Sequence, residues 1–204
     1  MWRHPAAKPL LALLLAWPAC WLLWAAFHDQ LGPNPAEALI RQSGDWALRA
    51  LCVALAVTPL RVITGQVLLM RFRRMLGVNV FVYAALHMLS YAWLDMGLDL
   101  EDIARDIAKR PFILVGFLAL LVLSALVATS FNKAVRWLGT QRWQALHRSV
   151  YAVAALAVLH FYWMRAGKNN FDEVWIYAFV LGSLLTYRLW RWQNKINAKT
   201  QTKH

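Results

Sequence analysis

Six long apolar runs alternate with short polar segments along the chain, and this pattern most constrains its fold. A transmembrane helix needs about 20 consecutive apolar residues, and here 60% of the 204 residues are hydrophobic and only 16% are charged. A soluble domain carries about 25% charged residues, so this apolar excess cannot be buried in one soluble core. We therefore predict an all-α integral membrane protein, a six-transmembrane-helix bundle that forms one domain over residues 1–204. The predicted spans are residues 9–27, 47–65, 75–94, 111–130, 147–164 and 174–190.

The distribution of the basic residues predicts how the six spans are oriented. With both termini cytoplasmic, 15 of the 22 Lys and Arg residues fall on the cytoplasmic side, as the positive-inside rule requires. All ten Asp and Glu residues are then expected outside, where 7 basic and 10 acidic residues leave a net charge of −3, which fits either a docking partner or chance. We attribute the total charge of +12 to topology and to anionic membrane lipid rather than to nucleic acid. The cytoplasmic basic residues are Arg3, Lys8, Arg61, Arg71, Arg73, Arg74, Lys133, Arg136, Arg142, Arg148, Arg188, Arg191, Lys195, Lys199 and Lys203.

The two longest external segments are residues 28–46, predicted to be a loop, and residues 95–110. In the second segment, Leu100, Ile103 and Ile107 recur at helical spacing between acidic residues. This pattern predicts a short amphipathic helix that lies on the membrane surface. No internal repeat is visible in the chain.

Three histidines lie within the apolar runs and are candidate metal ligands: His87, His147 and His160. Ionisable side chains inside a bilayer are costly and usually functional, although a single one is more often a hydrogen-bonding group between helices. A proton pathway would normally include carboxylates, and none is expected within these spans. A b-type haem needs only two neutral imidazoles that face each other across a bundle core. The histidines therefore favour a haem site.

Depth in the membrane pairs two of these histidines. His87 lies 12 residues beyond Met75, where the third span enters from the cytoplasm, and this corresponds to a rise of about 18 Å. His160 lies 14 residues beyond Leu146, at the start of the fifth span, which corresponds to about 21 Å. The similar depths predict that His87 and His160 ligate one iron in the outer half of the membrane.

His147 is left without a histidine partner at the inner edge of the membrane. The facing position on the third span is Arg74, so a second haem at His147 would need water or another side chain as its second ligand. The 13 residues between His147 and His160 also place them roughly 140° apart around a regular helix. Either the fifth helix is irregular, or His147 faces a flavin or quinone headgroup at the cytoplasmic surface. The candidate second ligands are Met70, Met75 and Asn79.

Other polar side chains near the histidines are candidates for supporting a cofactor. A haem-ligating imidazole donates its second ring N–H to a partner, and Ser90 or Tyr91 could accept it from His87. Arg49, near the outer end of the second span, could bind a haem propionate, although snorkelling to the interface is the simpler interpretation. The inner basic cluster is first a topology determinant and could also bind a flavin phosphate or haem propionates. This cluster comprises Arg71, Arg73 and Arg74.

The order and spacing of several short motifs resemble the ferric-reductase-type transmembrane domain over essentially the whole chain. The motifs are RRMLG at 73–77, HMLSY at 87–91, WQALHRSVY at 143–151 followed by His160, Thr58-Pro59, and Arg110-Pro111. Within that family, the chain most resembles the haem-binding membrane subunits of bacterial periplasmic methionine-sulfoxide reductase systems.

The resemblance implies an electron-transfer subunit of an oxidoreductase in the bacterial inner membrane, rather than a complete enzyme. It implies one or two haems b and FMN as cofactors, with the haem-ligand role carried over to His87, His147 and His160. It implies electrons from the quinone pool or a cytosolic flavin reductase, and a periplasmic molybdopterin-containing methionine-sulfoxide reductase as the acceptor. The chain departs from the larger ferric reductases because the third span has no inner histidine and no FAD/NADPH domain follows residue 190. We therefore expect its reductant to come from elsewhere.

Two alternatives to haem-based electron transfer are open on the sequence alone. A small transporter or proton-coupled protein could use the intramembrane histidines for a proton or a substrate, and it would be colourless. An assembly subunit could use the same histidines only for packing, and it would tolerate their replacement by glutamine.

Overall fold

The regular structure of the described residues, 6–167 and 169–201 of the computed structural model, is entirely helical. A 3-10 segment, Val67–Phe72, precedes α3, and a π-helical turn, Tyr91–Asp95, extends it. Three basic residues of the predicted charge distribution, Arg3, Lys168 and Lys203, lie outside the described residues. The α-helices are α1 Ala7–Phe27, α2 Pro35–Thr64, α3 Arg73–Ser90, α4 Leu100–Lys109, α5 Pro111–Ala128, α6 Asn132–Leu138, α7 Thr140–His147, α8 Val150–Ala166 and α9 Asp172–Gln201.

Five helical segments within the described residues are long and apolar enough to cross a membrane. They are Ala7–Phe27, Pro35–Thr64, Val67–Asp95, Pro111–Ala128 and Thr140–Ala166. Each overlaps one of the first five predicted spans. The sixth predicted span falls in α9, whose 30 residues would extend about 45 Å but which is not among the five. An all-α membrane protein is therefore confirmed, with five candidate spans.

The second span begins much earlier than the hydropathy pattern predicts, because α2 starts at Pro35 instead of near residue 47. Asn34 caps this helix, and its side-chain oxygen accepts a hydrogen bond from the backbone N–H of Glu37 at 3.1 Å. The prediction of a loop over 28–46 is wrong for most of that segment, since hydropathy detects only the apolar part of a helix. As a consequence, Asp45 lies on a candidate membrane span rather than in an external loop.

The fifth predicted span, 147–164, does not start at His147. The chain turns at Arg148 and Ser149, between α7 and α8, and the Ser149 hydroxyl donates to the carbonyl of Leu146 at 2.7 Å. Such a local side-chain bond competes with continued helix. His147 therefore ends α7 while His160 lies on α8, so the irregular helix that the sequence left open is the arrangement found.

The core lies between two helix pairs, α2 with α3 and α5 with α8, and α9 packs against α2 and α8. Many large side chains on the outer surface are instead exposed, among them Leu13 (69%), Ile63 (76%) and Phe179 (76%). So much exposed apolar surface is expected where lipid rather than water covers the protein. The buried core includes Leu48, Leu51, Leu55, Val80, Leu123, Val153, Phe161, Val174 and Leu181.

The short helix predicted in the second external segment is present as α4. Asp99 caps it by accepting hydrogen bonds from the backbone N–H groups of Glu101 at 2.9 Å and Asp102 at 3.0 Å. Of the predicted apolar face, Ile103 is buried, while Leu100 is 80% exposed. The helix is confirmed, and its position on the membrane surface stays a prediction.

The hydroxyl of Tyr83 fastens α1 to α3. It donates to the carbonyl of Leu15 at 2.7 Å and accepts from the N–H of Ala19 at 3.2 Å. In a regular helix these two α1 groups would bond to each other. The inserted hydroxyl lies beside Pro18, which has no N–H to donate. Because Tyr83 is only 2% exposed, this contact is shielded from solvent and lipid.

The guanidinium of Arg188 fastens α9 to the rest of the bundle. It donates to the hydroxyl of Tyr151 at 2.6 Å and to the backbone carbonyl of Leu55 at 2.7 Å, so it joins α9 to α8 and α2. Hydrogen bonds from a charged donor are the stronger ones. The ring of Tyr151 also lies 5.1 Å from the guanidinium carbon.

Replacing Tyr83 by Phe should destabilise the protein by about 1 kcal/mol, because α1 loses the hydroxyl that bridges its two backbone groups. The measurement is thermal unfolding of the purified protein in detergent, followed by circular dichroism. Tyr162→Phe is the control, since Tyr162 is 39% exposed and should leave the midpoint unchanged. Equal midpoints for the wild type and both variants would contradict the role of the Tyr83 hydroxyl.

Replacing Arg188 by Ala should destabilise the protein by about 2 kcal/mol or more, because it leaves the Tyr151 hydroxyl and the Leu55 carbonyl without their charged donor. The same unfolding assay measures this, with Arg191→Ala on the following turn of α9 as the matched control. If both variants lose the same stability, the Arg188 contacts do not hold α9.

Candidate cofactor site

The rings of His87 on α3 and His160 on α8 lie side by side in the bundle. Their centroids are 6.1 Å apart, and their planes are inclined at 76°. Both side chains line one cavity of about 250 Å³ between α2, α3, α5 and α8. The structure thus brings together the two histidines that the sequence predicts to lie at similar depths in the membrane.

Each of these imidazoles is held by a backbone carbonyl on a neighbouring helix. His87 Nδ1 lies 2.7 Å from the carbonyl oxygen of Ile40 on α2, and His160 Nδ1 lies 2.6 Å from that of Phe112 on α5. A carbonyl oxygen only accepts hydrogen bonds, so Nδ1 must carry the proton in both rings. In neutral imidazole this leaves Nε2 with a free lone pair, which is the form that binds metals.

The spacing of the two rings fits a single metal ion held by both. Metal–imidazole bonds are about 2 Å long, as for zinc, and each ring centre lies about 1 Å behind its ligating nitrogen, so two such ligands on opposite sides of a metal have ring centres about 6 Å apart. The observed 6.1 Å matches this separation. Neutral nitrogen ligands without a carboxylate are also the donor set that haem iron accepts.

The prediction that Ser90 or Tyr91 accepts the His87 N–H is wrong, because the Ile40 carbonyl takes that position. Tyr91 does line the histidine cavity, but its hydroxyl donates to Asp106 on α4 at 2.6 Å. Burial raises the pKa of the Asp106 carboxyl, but hydrogen bonds from Tyr91 and Arg110 outweigh burial and hold this pKa below its usual value. Asp106 is therefore ionised at neutral pH and fixes the Tyr91 ring as part of the cavity wall.

Three arginines that were not among the cofactor-binding candidates from the sequence line the histidine cavity: Arg41, Arg110 and Arg165. Two carboxylates, Asp45 and Asp95, line it as well. Position along the helices could have indicated two of the arginines. Arg41 directly follows Ile40, and Arg165 lies little more than one turn beyond His160.

Arg49, the sequence candidate for binding a propionate, faces away from the histidine cavity. It donates to the hydroxyl of Tyr177 at 3.2 Å, and its guanidinium carbon lies 4.8 Å from the centre of the Trp46 ring. It is not among the residues that line the cavity.

A second and larger cavity, of about 1030 Å³, lies towards the other end of the bundle and is lined by cationic side chains. No Asp or Glu occurs among its described lining residues, so an anionic ligand would meet uncompensated positive charge there. Leu51, Val80 and Leu123 line both cavities and form an apolar layer between them. The basic lining residues are Arg73, Arg74, Arg136, Arg148 and Arg188.

His147 lines this basic cavity and not the cavity of the other two histidines. Its Nε2 lies 3.1 Å from the Thr129 hydroxyl, and its ring stacks on Trp143 with 4.1 Å between centroids. Arg74 lines the same cavity and donates to the side-chain oxygen of Asn132 at 2.6 Å. Of the candidate second ligands, Met70 lines this cavity, while Met75 and Asn79 are not among its described lining residues.

Comparison with known proteins places the chain in a family. The family model described as "Ferric reductase like transmembrane component" matches residues 43–158, more than half of the chain. A protein of Polaromonas naphthalenivorans is 60% identical over 92% of this chain and 85% of its own length. A protein of Bordetella pertussis is 47% identical over 94% of this chain and 92% of its own length.

A third relative, from Xanthomonas axonopodis pv. citri, is 41% identical over 98% of this chain and 88% of its own length. All three relatives are named protein-methionine-sulfoxide reductase heme-binding subunit MsrQ. No solved structure matches the chain. By its match to the family model and by these relatives, the chain belongs to the family of ferric reductase-like transmembrane components and, within it, to the MsrQ family.

Proposed function

We propose that the chain binds haem b between His87 and His160 and transfers electrons across the bacterial inner membrane for a methionine-sulfoxide reductase. The observation that carries this proposal is the pair of imidazole rings 6.1 Å apart, each with Nδ1 bound to a backbone carbonyl and Nε2 free. The names of the relatives, heme-binding subunits of protein-methionine-sulfoxide reductase, support both the cofactor and the assignment to such a system.

The protein's own groups would bind and orient the cofactor. The carbonyls of Ile40 and Phe112 hold the two imidazoles, and the largely apolar wall of the cavity excludes water. Bound haem would supply one-electron redox chemistry, while the chain would supply ligation and dielectric environment. The cationic groups of Arg41, Arg110 and Arg165 on the same wall would bind propionates.

The basic inner cavity is the proposed site at which electrons from the donor enter the protein. Arginines on its wall would bind the phosphate of FMN, among them Arg74, which the sequence indicated for this role. His147 on its wall is the remaining candidate haem ligand, and Met70 is the candidate second ligand if a second haem is present. The donor itself would be the quinone pool or a cytosolic flavin reductase.

The acceptor would be a periplasmic molybdopterin-containing methionine-sulfoxide reductase that repairs oxidised proteins. The excess of acidic residues predicted on the outer side gives such a partner a charged surface on which to dock. A transporter that uses the same histidines is not favoured, because the relatives are named as heme-binding subunits.

We also propose α9 as a sixth span, which would place both termini in the cytoplasm. Val174 and Leu181 of α9 are 1% exposed and pack in the common core, while Trp175, Ile176 and Phe179 are between 61% and 76% exposed. This division, with one face in the core and an apolar face outward, is expected of a peripheral membrane-spanning helix.

Replacing His87 or His160 by Ala should remove the haem that they share, because each variant keeps only one of the two imidazoles that would hold the iron. His147→Ala should retain at least part of the haem, and His28→Ala, with its ring stacked on Trp24 outside both cavities, should retain all of it. The measurement is the dithionite-reduced haem b spectrum per mole of purified protein. Identical haem content in all four variants would contradict the assignment.

Reporter fusions at the two ends of the chain should test the sixth span. If α9 crosses the membrane, green fluorescent protein fused to either terminus should fluoresce, and alkaline phosphatase fused to either should be inactive, because both ends are cytoplasmic. Opposite results at the two termini would show an odd number of spans and would exclude α9.

A further inference from the structure

Both histidines reach their backbone carbonyls at a glycine of the neighbouring helix. Gly44 lies four residues after Ile40 on α2, and Gly116 lies four residues after Phe112 on α5. In an α-helix the Cα–Cβ bond tilts towards the N-terminus, so the side chain at position i+4 covers the carbonyl of residue i. A glycine at i+4 leaves that carbonyl open to an imidazole from another helix.

The contact distances show that neither position can accept a side chain without moving the histidine. A Cβ at position 44 would lie 3.1 Å from Nδ1 and 3.2 Å from Cε1 of His87. A Cβ at position 116 would lie 2.8 Å from Nδ1 and 2.9 Å from Cε1 of His160. Non-bonded atoms essentially never approach a Cβ as closely as at position 116, so the His160 ring would be pushed away from its carbonyl. At position 44 the contact is tight, and the His87 ring would have to shift by a few tenths of an ångström.

Local backbone conformation does not explain these two glycines. Both lie inside regular helix and, unlike Gly65 and Gly139, neither has a positive φ. Inside a helix, glycine costs about 0.5–1 kcal/mol relative to alanine. The close approach of the imidazole is the feature that requires them.

The same arrangement occurs twice in the chain. The accepting carbonyl precedes its histidine by 47 residues in the first case and by 48 residues in the second. In each case a glycine follows the carbonyl by four residues, and a Cβ added at that glycine would meet the Nδ1 and Cε1 atoms of the histidine ring. The helix pairs α2–α3 and α5–α8 therefore present their histidines to the shared cavity in equivalent ways.

We propose that Gly44 and Gly116 are positioning residues that set the reduction potential of the iron held by His87 and His160. This inference rests on the haem proposed above. By exposing the carbonyls, the glycines allow each Nδ1–H to be donated, and this donation raises the basicity of Nε2. A more basic ligand stabilises the oxidised iron, so loss of either hydrogen bond should raise the midpoint potential.

The test compares Gly44→Ala and Gly116→Ala with Gly182→Ala in the full-length purified protein. Gly182 is a matched control, because it also lies inside a helix and a Cβ there would contact nothing within 4 Å. The readouts are haem content, midpoint potential by redox titration, and the electron paramagnetic resonance spectrum of the ferric form. Circular dichroism and size-exclusion chromatography establish that each variant is folded.

Both glycine variants should show a raised midpoint potential and altered ferric g-values, with the larger change in Gly116→Ala because its contact is 2.8 Å rather than 3.1 Å. Gly182→Ala should match the wild type. Loss of haem from a folded Gly116→Ala protein also supports the proposal, since it means that the ligand has been displaced. If Gly116→Ala does not fold, the milder Gly44→Ala carries the test.

Wild-type potential and g-values in folded, haem-loaded Gly44→Ala and Gly116→Ala would overturn the positioning role and leave the haem site intact. A wild-type protein that contains no haem would instead overturn the proposed function, and this inference with it. The two failures are therefore distinguishable in one experiment.

Discussion

A hydrogen bond from an imidazole N–H to a backbone carbonyl on the next helix is the interaction on which the site depends. It occurs at His87 with Ile40 and at His160 with Phe112. Because the acceptor is backbone, its position is fixed by the helix and does not depend on a rotamer. The bond determines which ring nitrogen carries the proton, and it joins α3 to α2 at His87 and α8 to α5 at His160. Glycine makes it possible, since any other residue would cover the carbonyl.

The electrostatics of the two cavities differ in a way that suits a directional electron path. The histidine cavity has an apolar wall and carries both arginines and carboxylates, so its charges are partly balanced. The inner cavity carries five arginines and no described acidic lining residue, so it favours anionic groups. Leu51, Val80 and Leu123 separate the two and provide a layer of low dielectric constant between them.

Much of the fold and one of the two cavities could be predicted from residue order alone. The first five of the six apolar runs overlap candidate spans, because hydrophobic length is a local property. His87 and His160 could be paired because rise per residue converts position into depth. The first turns of α2 were missed, since capping at Asn34 does not alter hydropathy. That miss displaced Asp45 from its predicted surroundings, whereas His147 lies apart from the other two histidines, as the sequence predicts.

The sequence by itself determined that the chain is a helical membrane protein and that two histidines lie at equal depth, because apolar length and helical rise are properties of consecutive residues. Only the tertiary structure decided which partners the imidazoles take, since the carbonyls of Ile40 and Phe112 are more than 40 residues away and all carbonyls are alike in sequence. It also decided that Gly44 and Gly116 matter, because a glycine's function here is the absence of a Cβ where another helix approaches. Which groups of two helices meet depends on the rotation of each helix about its axis. This rotation is set by packing between helices rather than by the order of residues within one helix.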